Sequence, residues 1–288
     1  MEAARHITRL GAAKVILGVR SVSKGETAKK SIEESTKTNG VVEVWQLDLS
    51  SYASVEEFAA RANKLARLDV LLCNAGIATQ EWNLAEGNEA TITVNVVSTY
   101  LLALLCLPRL KETAQQNNKQ TYSVIVSSEV HFMTKLPYLR KDPNASIFDV
   151  LNDKNANIMG DRYNASKLLE VFSSRQMVAD YCPSKEYPVI TNFLTPGLCH
   201  SELMREAAFL GRIVKFILGA RTTEVGSRTL VHATQAGPES HGQYLSDCTV
   251  TAPSPFVTSK EGKDLQAKVW KDLSEKLEGI HPGIFNNF

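Results

Sequence analysis

Tyr163 and Lys167 have the side-chain types and the spacing that proton transfer to or from an oxygen atom requires. They stand four residues apart, so a helix would place both on one face. A phenol has an ordinary pKa of about 10, and a neighbouring ammonium group lowers it by favouring the phenolate. Such a pair could exchange a proton with a carbonyl or an alcohol. The same spacing also arises by chance on a solvated helix face, so the pair needs support from other residues.

Polar and glycine residues elsewhere in the chain could form a site together with Tyr163 and Lys167. They follow apolar runs or interrupt an apolar helix: Asn74-Ala75-Gly76 after 69–72, Asn95 within 92–98, Ser127-Ser128 at the end of 123–128, and Pro196-Gly197 after 189–194. Each has a structural explanation by itself, such as a helix-packing amide, a strand cap or a positive φ at glycine. Together and in this order, they predict a ligand site at one edge of a parallel sheet, where the carboxyl ends of the strands meet.

Short β-branched runs alternate with helical stretches along the chain. The runs typical of buried strands cover residues 14–19, 42–47, 69–72, 123–126 and 189–194, and the helical stretches cover 24–36, 53–66, 84–113 and 161–181. This alternation predicts an α/β fold with a doubly wound, Rossmann-like parallel sheet. Neither a linker nor an internal repeat divides the 288 residues, so we expect a single domain over 1–288.

The composition excludes several classes of function. The net charge is +1, which offers no electrostatic basis for binding nucleic acid or an anionic membrane, and a small molecule is the expected partner. The five cysteines form no CxxC pair, which predicts neither a disulfide framework nor a metal site and fits a cytoplasmic location. No apolar run reaches the ~18 residues that a membrane span needs.

The order of these segments resembles the short-chain dehydrogenase/reductase superfamily from about residue 2 to 250, and within it the retinol-dehydrogenase-like branch common among fungal metabolic enzymes. The resemblance implies that Tyr163 is the general acid/base, and that Lys167 lowers its pKa and holds the nicotinamide ribose. It also implies that Ser128 hydrogen-bonds the substrate oxygen, with Ser127 as the alternative one position earlier. Asn95 would complete the set and position a proton-relay water.

The same resemblance implies a nicotinamide dinucleotide cofactor. Its further contacts would be Asn74, Ala75 and Gly76 on the adenosine side, Asp48 at the adenine, and Pro196 and Gly197 against the nicotinamide. Arg20 follows the strand at 14–19, where the family binds the adenosine ribose, and a guanidinium suits a 2′-phosphate there. NADP(H) is therefore favoured over NAD(H). A solvated charge at Arg20, and a helix cap formed by Asp48 with Ser50, are the structural alternatives.

One part of the family pattern is absent. The glycine-rich turn TGxxxGxG, which cradles pyrophosphate at a helix N-terminus, should precede the helix that residues 1–10 predict, and the sequence has no such turn. The implied first strand, which lies in the middle of the sheet, is absent with it. Either an upstream segment is missing from the chain or the protein is genuinely short and repurposed. The intact Tyr163, Lys167 and Asn95 favour a missing segment.

Two segments would shape the substrate site. Residues 132–160 form an insertion with a helix near 145–153, which Asn144 or Ser146 could cap, and residues 198–220 correspond to the substrate lid of the family. The apolar side chains of the lid favour a hydrophobic substrate, with a membrane surface or a partner subunit as alternatives. The helices at 84–113 and 161–181 could pair in a homodimer or simply pack on the sheet.

These observations predict an NADP(H)-dependent oxidoreductase that interconverts a hydroxyl and a carbonyl on a small hydrophobic metabolite, in secondary metabolism. The alternative is a non-redox or cofactor-deficient protein on the same scaffold, such as an isomerase, a cyclase or a binding module.

Overall fold

The β-branched runs form the strands that the sequence predicts. A computed structural model describes residues 1–142, 144–155, 159–200 and 220–288. Its strands are β1 (Val15–Val19), β2 (Val42–Gln46), β3 (Val70–Cys73), β4 (Leu84–Ala85), β5 (Asn88–Glu89), β6 (Thr121–Val126), β7 (Val189–Leu194), β8 (Tyr244–Ser246) and β9 (Thr249–Thr251). All six residues of β7 are buried, as expected for a parallel strand covered on both faces.

The strands of the main fold belong to two sheets. β3, β6, β7, β8 and β9 pair in that order, in parallel except for the β8–β9 pair, and β1 pairs in parallel with β2. Within the described residues no pairing joins β1 to β3. Leu17 and Leu72 are consequently only partly buried, and Gly18 is exposed, although central strands of such sheets are normally covered. The predicted α/β, Rossmann-like architecture is confirmed, with an interruption at this place.

The helices cover the sheets as predicted, with one correction. They are α1 (Glu2–Arg9), α2 (Val22–Thr36), α3 (Tyr52–Ala62), α4 (Ala90–Ile92), α5 (Ser98–Asn117), α6 (Ile147–Asn152), α7 (Met159–Tyr181), α8 (Thr223–Ala233), α9 (Pro255–Thr258) and α10 (Lys260–Ile280), and a π-helical turn over Thr93–Val97 joins α4 to α5. The prediction of a helix beginning at residue 84 was wrong. Residues 84–89 form the β4–β5 hairpin, because Glu86 and Gly87 adopt φ values of 52° and 75°, which a right-handed helix does not allow.

The helical segment Ala90–Asn117 is the central apolar helix of the protein. Its length and composition would suffice to cross a membrane, but 94% of its most apolar window is buried inside the protein. It lies against β3, β6 and α3. Its hydrophobicity is therefore explained by the core that it occupies.

The outer faces of α5 and α7 are also covered within the chain. Tyr100 on α5 meets Trp270 on α10, with ring centroids 6.2 Å apart. The C-terminal residues continue this cover, since the side-chain amide of Asn287 donates to the Leu104 carbonyl (2.9 Å) and the backbone carbonyl of Asn287 accepts from the Lys111 Nζ (3.0 Å). Pairing of these two helices in a homodimer stays a prediction.

The insertion at 132–160 contains short helices rather than one long element. A 3₁₀ helix covers Pro137–Arg140, and α6 occupies the place where a helix was predicted near 145–153. Of the two proposed caps, Ser146 serves, because its hydroxyl accepts from the Phe148 amide at 3.2 Å. The predicted lid at 198–220 falls almost entirely on residues 201–219, which lie outside the described residues.

Candidate active site

The carboxyl ends of three neighbouring strands and one helix form the candidate site. β3, β6 and β7 are adjacent and parallel, so the residues after Cys73, Val126 and Leu194 emerge at the same edge. Helix α7 packs on this part of the sheet and carries Tyr163 and Lys167 in its first half. Sheet pairing therefore brings together segments that lie far apart in the sequence.

Tyr163 and Lys167 share one face of α7, as their spacing predicts. The Lys167 Nζ lies 5.7 Å from the centroid of the Tyr163 ring. Burial raises the pKa of the Tyr163 phenol above its usual value, and Glu170 adds to the rise. Lys167 and a hydrogen-bonding interaction with Ser128 lower the pKa of the phenol, but they do not reverse the effect of burial.

The two serines after β6 point in different directions. Ser127 is 2% exposed, and its hydroxyl donates to the Lys167 carbonyl at 3.0 Å, so it joins β6 to α7. Ser128 is partly exposed on the side of Tyr163, and its hydroxyl accepts from the Val130 amide at 3.4 Å. Of the two candidates, the structure brings Ser128 and not Ser127 to the phenol.

Asn95 lies in the π-helical turn between α4 and α5. Its side chain accepts from the Ile77 amide (2.8 Å) and donates to the Ile77 carbonyl (2.9 Å) and to the Ser166 hydroxyl (2.9 Å). A π-helical turn inside an α-helix often marks a functional position, and here it directs a fully buried amide at the loop after β3. Asn95 thereby joins that loop to the helix of Tyr163.

Gly76 supplies bare backbone beside the Lys167 ammonium. A Cβ at this position would lie 3.1 Å from the Asn95 Oδ1 and 3.8 Å from the Lys167 Nζ. A larger side chain would therefore fill the space in front of both groups. Asn74 and Ala75, at the start of the same loop, are exposed.

His131 holds the Ser128 loop in place. Its Nε2 accepts from the Ser254 amide (3.1 Å), which leaves Nδ1 to donate to the Ser128 carbonyl (2.7 Å). Burial lowers the pKa of His131 below its usual value, so the ring is neutral and suits both bonds. The imidazole is fully buried, which indicates a structural role.

The remaining predicted cofactor contacts follow the carboxyl ends of β1, β2 and β7. Arg20 is exposed and follows β1 directly. Asp48 engages its own turn, because its Oδ1 accepts from the Ser50 amide (2.9 Å) and hydroxyl (2.6 Å), while Ser51 caps α3. Pro196 and Gly197 follow β7, and Gly197 has a φ of 72°, in the left-handed region that favours glycine.

Glu170 was not predicted as a site residue, although its position was visible in the sequence. It lies three residues after Lys167 on α7, and its carboxylate oxygens are 2.8 and 3.1 Å from the Lys167 Nζ. The same ammonium donates to the Val126 carbonyl at 2.9 Å. Burial raises the pKa of the Glu170 carboxyl from 4.5 to about 7, although Lys167 and Ser127 oppose the rise.

We expect Glu170 to make the stability of the protein depend on pH. Folding raises the pKa of this group, so its favourable contribution is fully present below about pH 4.5 and is lost as the pH rises through about 7. The melting temperature of the wild type minus that of Glu170→Gln should therefore decrease as the pH rises from about 4.5 to about 7. Calorimetry of both proteins measures it, with Glu34→Gln, a carboxyl that is 66% exposed, as the control. A difference that stays constant with pH would contradict titration of Glu170.

The chain is similar in sequence to known short-chain dehydrogenases. The sequence profile of the family described as short chain dehydrogenase matches residues 1–138. The chain is 51% identical over 292 residues to the short chain dehydrogenase/reductase dmxR8 of Cryptosporiopsis sp. (strain 8999), covering 100% of this chain and 89% of the relative. It is 46% identical over 253 residues to the short chain dehydrogenase atnD of Emericella nidulans, with 86% and 80% covered.

The fold of the chain is also similar to that of a solved reductase structure. The NADPH-bound carbonyl reductase from chicken fatty liver matches with a TM-score of 0.62 at 19% identity, covering 87% of this chain and 93% of that protein. At this identity the match concerns the fold alone.

Proposed function

Because the chain belongs to the short-chain dehydrogenase/reductase family and is an oxidoreductase, we propose that it interconverts a hydroxyl and a carbonyl on a small hydrophobic metabolite with NADP(H). The observation that carries the proposal is the convergence of Tyr163, Lys167, Ser128 and Asn95 at one edge of the sheet. The apolar composition of residues 198–220 supports a hydrophobic substrate. A place in secondary metabolism is part of the same proposal.

In this proposal, Tyr163 exchanges a proton with the substrate oxygen. Ser128 donates a hydrogen bond to that oxygen, and its loop is held by His131 from behind. The positive charge of Lys167 favours the phenolate that remains when Tyr163 has given up its proton. Asn95 fixes the backbone at Ile77, so that the loop after β3 and the helix of Tyr163 keep one relative position.

The residues at the nicotinamide end fit a dinucleotide. The absent Cβ of Gly76 leaves space beside the Lys167 ammonium, where the nicotinamide ribose would bind, and the Pro196-Gly197 turn lies at the same edge. When bound, the nicotinamide supplies or accepts the hydride. Asn74, Ala75 and Asp48 would contact the adenosine, and Arg20 the 2′-phosphate.

Titration of the purified chain with NADPH and with NADH tests the cofactor. We expect saturable binding with a preference for NADPH, and Arg20→Ala should weaken NADPH binding by about 10- to 100-fold because a charged hydrogen bond to phosphate is lost. The same substitution should leave the affinity for NADH unchanged. Fluorescence of the reduced nicotinamide reports binding in each case.

Lys30→Ala is the matched control, since Lys30 is an 80% exposed cation on α2, the helix that follows Arg20. The Lys30→Ala substitution should change neither the affinity for NADPH nor that for NADH. Equal wild-type affinities for NADPH and NADH would contradict the role of Arg20. Binding of neither nucleotide would favour the non-redox alternative.

A further inference from the structure

A buried ion pair lies directly behind the proposed proton donor. Lys167 and Glu170 are three residues apart on α7 and therefore neighbours on the helix surface. Their side chains are 6% and 3% exposed, and the Nζ–Oε1 distance is 2.8 Å. A buried carboxylate rarely persists without such a partner, so the two groups are best treated as one unit.

The hydrogen bonds of Lys167 show how this unit is arranged. An ammonium group has three N–H donors. The Val126 carbonyl accepts one at 2.9 Å, and the two Glu170 oxygens accept at 2.8 and 3.1 Å. The ammonium is thus held from the side of β6 and α7, and above about pH 7, where the Glu170 carboxyl is ionised, a negative charge lies in contact with it. Because the two charges are opposite and close together, their fields at the Tyr163 ring partly cancel.

We propose that Glu170 is a positioning residue that holds Lys167 and keeps Tyr163 in its protonated form, which biases the proposed oxidoreductase towards carbonyl reduction. The direction of bias rests on the proposed function. In reduction, the carbonyl carbon gains a hydride from the reduced nicotinamide and the oxygen gains the proton of Tyr163, which leaves an alcohol, a phenolate and the oxidised nicotinamide. Oxidation requires the phenolate at the outset. A carboxylate that disfavours the phenolate therefore favours turnover in the reductive direction above about pH 7, where Glu170 is ionised.

The other titratable groups around Glu170 do not supply this effect. Cys73 on β3 and Tyr100 on α5 face the carboxylate, and burial raises the pKa of both, so they stay uncharged near neutral pH. His131 is neutral. Glu129, after β6, is exposed and interacts with Tyr244 rather than with Tyr163. Among the described residues, Lys167 and Glu170 are the charged groups that act on the Tyr163 phenol.

The test is a titration of Tyr163 in the nucleotide-free chain. Protein labelled with [¹³Cζ]tyrosine is followed by NMR against pH, and Tyr163→Phe identifies the resonance. We expect Glu170→Gln to move the titration midpoint of Tyr163 to lower pH, and Glu170→Asp, which keeps the charge, to restore it towards the wild-type value. Each unit of displacement changes the phenolate fraction about tenfold. Glu129→Gln removes a carboxylate from the same sheet edge and should leave the midpoint unchanged.

An unchanged or raised midpoint in Glu170→Gln would overturn the proposal, since a purely structural carboxylate would alter stability alone. If that variant does not fold, Glu170→Asn reports the same loss of charge. Where NADPH turnover is measurable, the ratio of kcat for oxidation to kcat for reduction at pH 8, where Glu170 is mostly ionised in the wild type, should rise in the neutral variant. If the midpoint is lowered but NADPH does not bind, the effect of Glu170 on Tyr163 is supported and the proposed redox function is contradicted. If turnover is normal but the midpoint does not move, the redox function stands and the proposed effect of Glu170 is contradicted.

Discussion

The Tyr163→Phe variant is expected to lose about 10²- to 10⁴-fold in kcat for carbonyl reduction, which is the usual effect of removing a positioned general acid. The substitution deletes one hydroxyl and keeps the ring, so the packing of α7 should persist. Lys167 keeps its bonds to Val126 and Glu170, because neither depends on the phenol. NADPH affinity should therefore change little. Initial rates with a hydrophobic ketone, together with the fluorescence titration, separate the two effects.

Tyr122→Phe is the matched control for this loss. Tyr122 is also partly buried, but it lies near the amino end of β6, whereas Ser127 and Ser128 follow the carboxyl end. Its hydroxyl should be dispensable for turnover. If Tyr163→Phe kept the wild-type rate, Tyr163 would not be the proton donor, and the geometry at this edge would need another explanation.

Glu89→Gln is expected to destabilise the folded protein by about 3–5 kcal/mol, the usual consequence of removing one partner from a buried ion pair. Glu89 and Arg162 are 0% and 1% exposed, and the Arg162 Nε lies 3.3 Å from the Glu89 Oε2. The Leu151 carbonyl accepts from the Arg162 Nη2 at 2.9 Å, but the variant removes the carboxylate that pairs with the guanidinium. Urea unfolding followed by circular dichroism measures the change.

The Glu89–Arg162 ion pair also lies next to the candidate active site in the chain. Glu89 ends the β4–β5 hairpin and caps α4 through the Thr91 amide at 2.9 Å, while Arg162 immediately precedes Tyr163. Glu275→Ala breaks an exposed pair with Lys271 and should cost less than about 1 kcal/mol. A second comparison is Glu89→Leu combined with Arg162→Met, which should recover much of the lost stability because no buried charge remains. Equal losses for Glu89→Gln and Glu275→Ala would contradict the importance of burial.

Local patterns in the sequence were sufficient for the elements and for the order of the site residues. Continuous β-branched runs predicted five parallel strands, because a strand covered on both faces has no polar face to alternate with. The spacing of Tyr163 and Lys167 predicted a shared helix face, because four residues make about one turn. The hairpin at 84–89 was missed because its apolar and polar residues also fit a helix, and the positive φ values at Glu86 and Gly87 decide against it.

The tertiary structure alone decided which of these residues meet and which are buried. Ser127 and Ser128 are equivalent by residue type, but successive side chains of an extended segment point to opposite sides, and pairing with β7 fixes which one turns towards α7. Glu170 and Glu89 look like ordinary helix and turn acids in the sequence. Their burial, and hence their effect on Lys167 and Arg162, depends on helices and strands that are distant along the chain. That packing determines how far each charged group is removed from water. The effects of Glu170 and Glu89 on their partners therefore could not be predicted from the spacing of residues in the sequence.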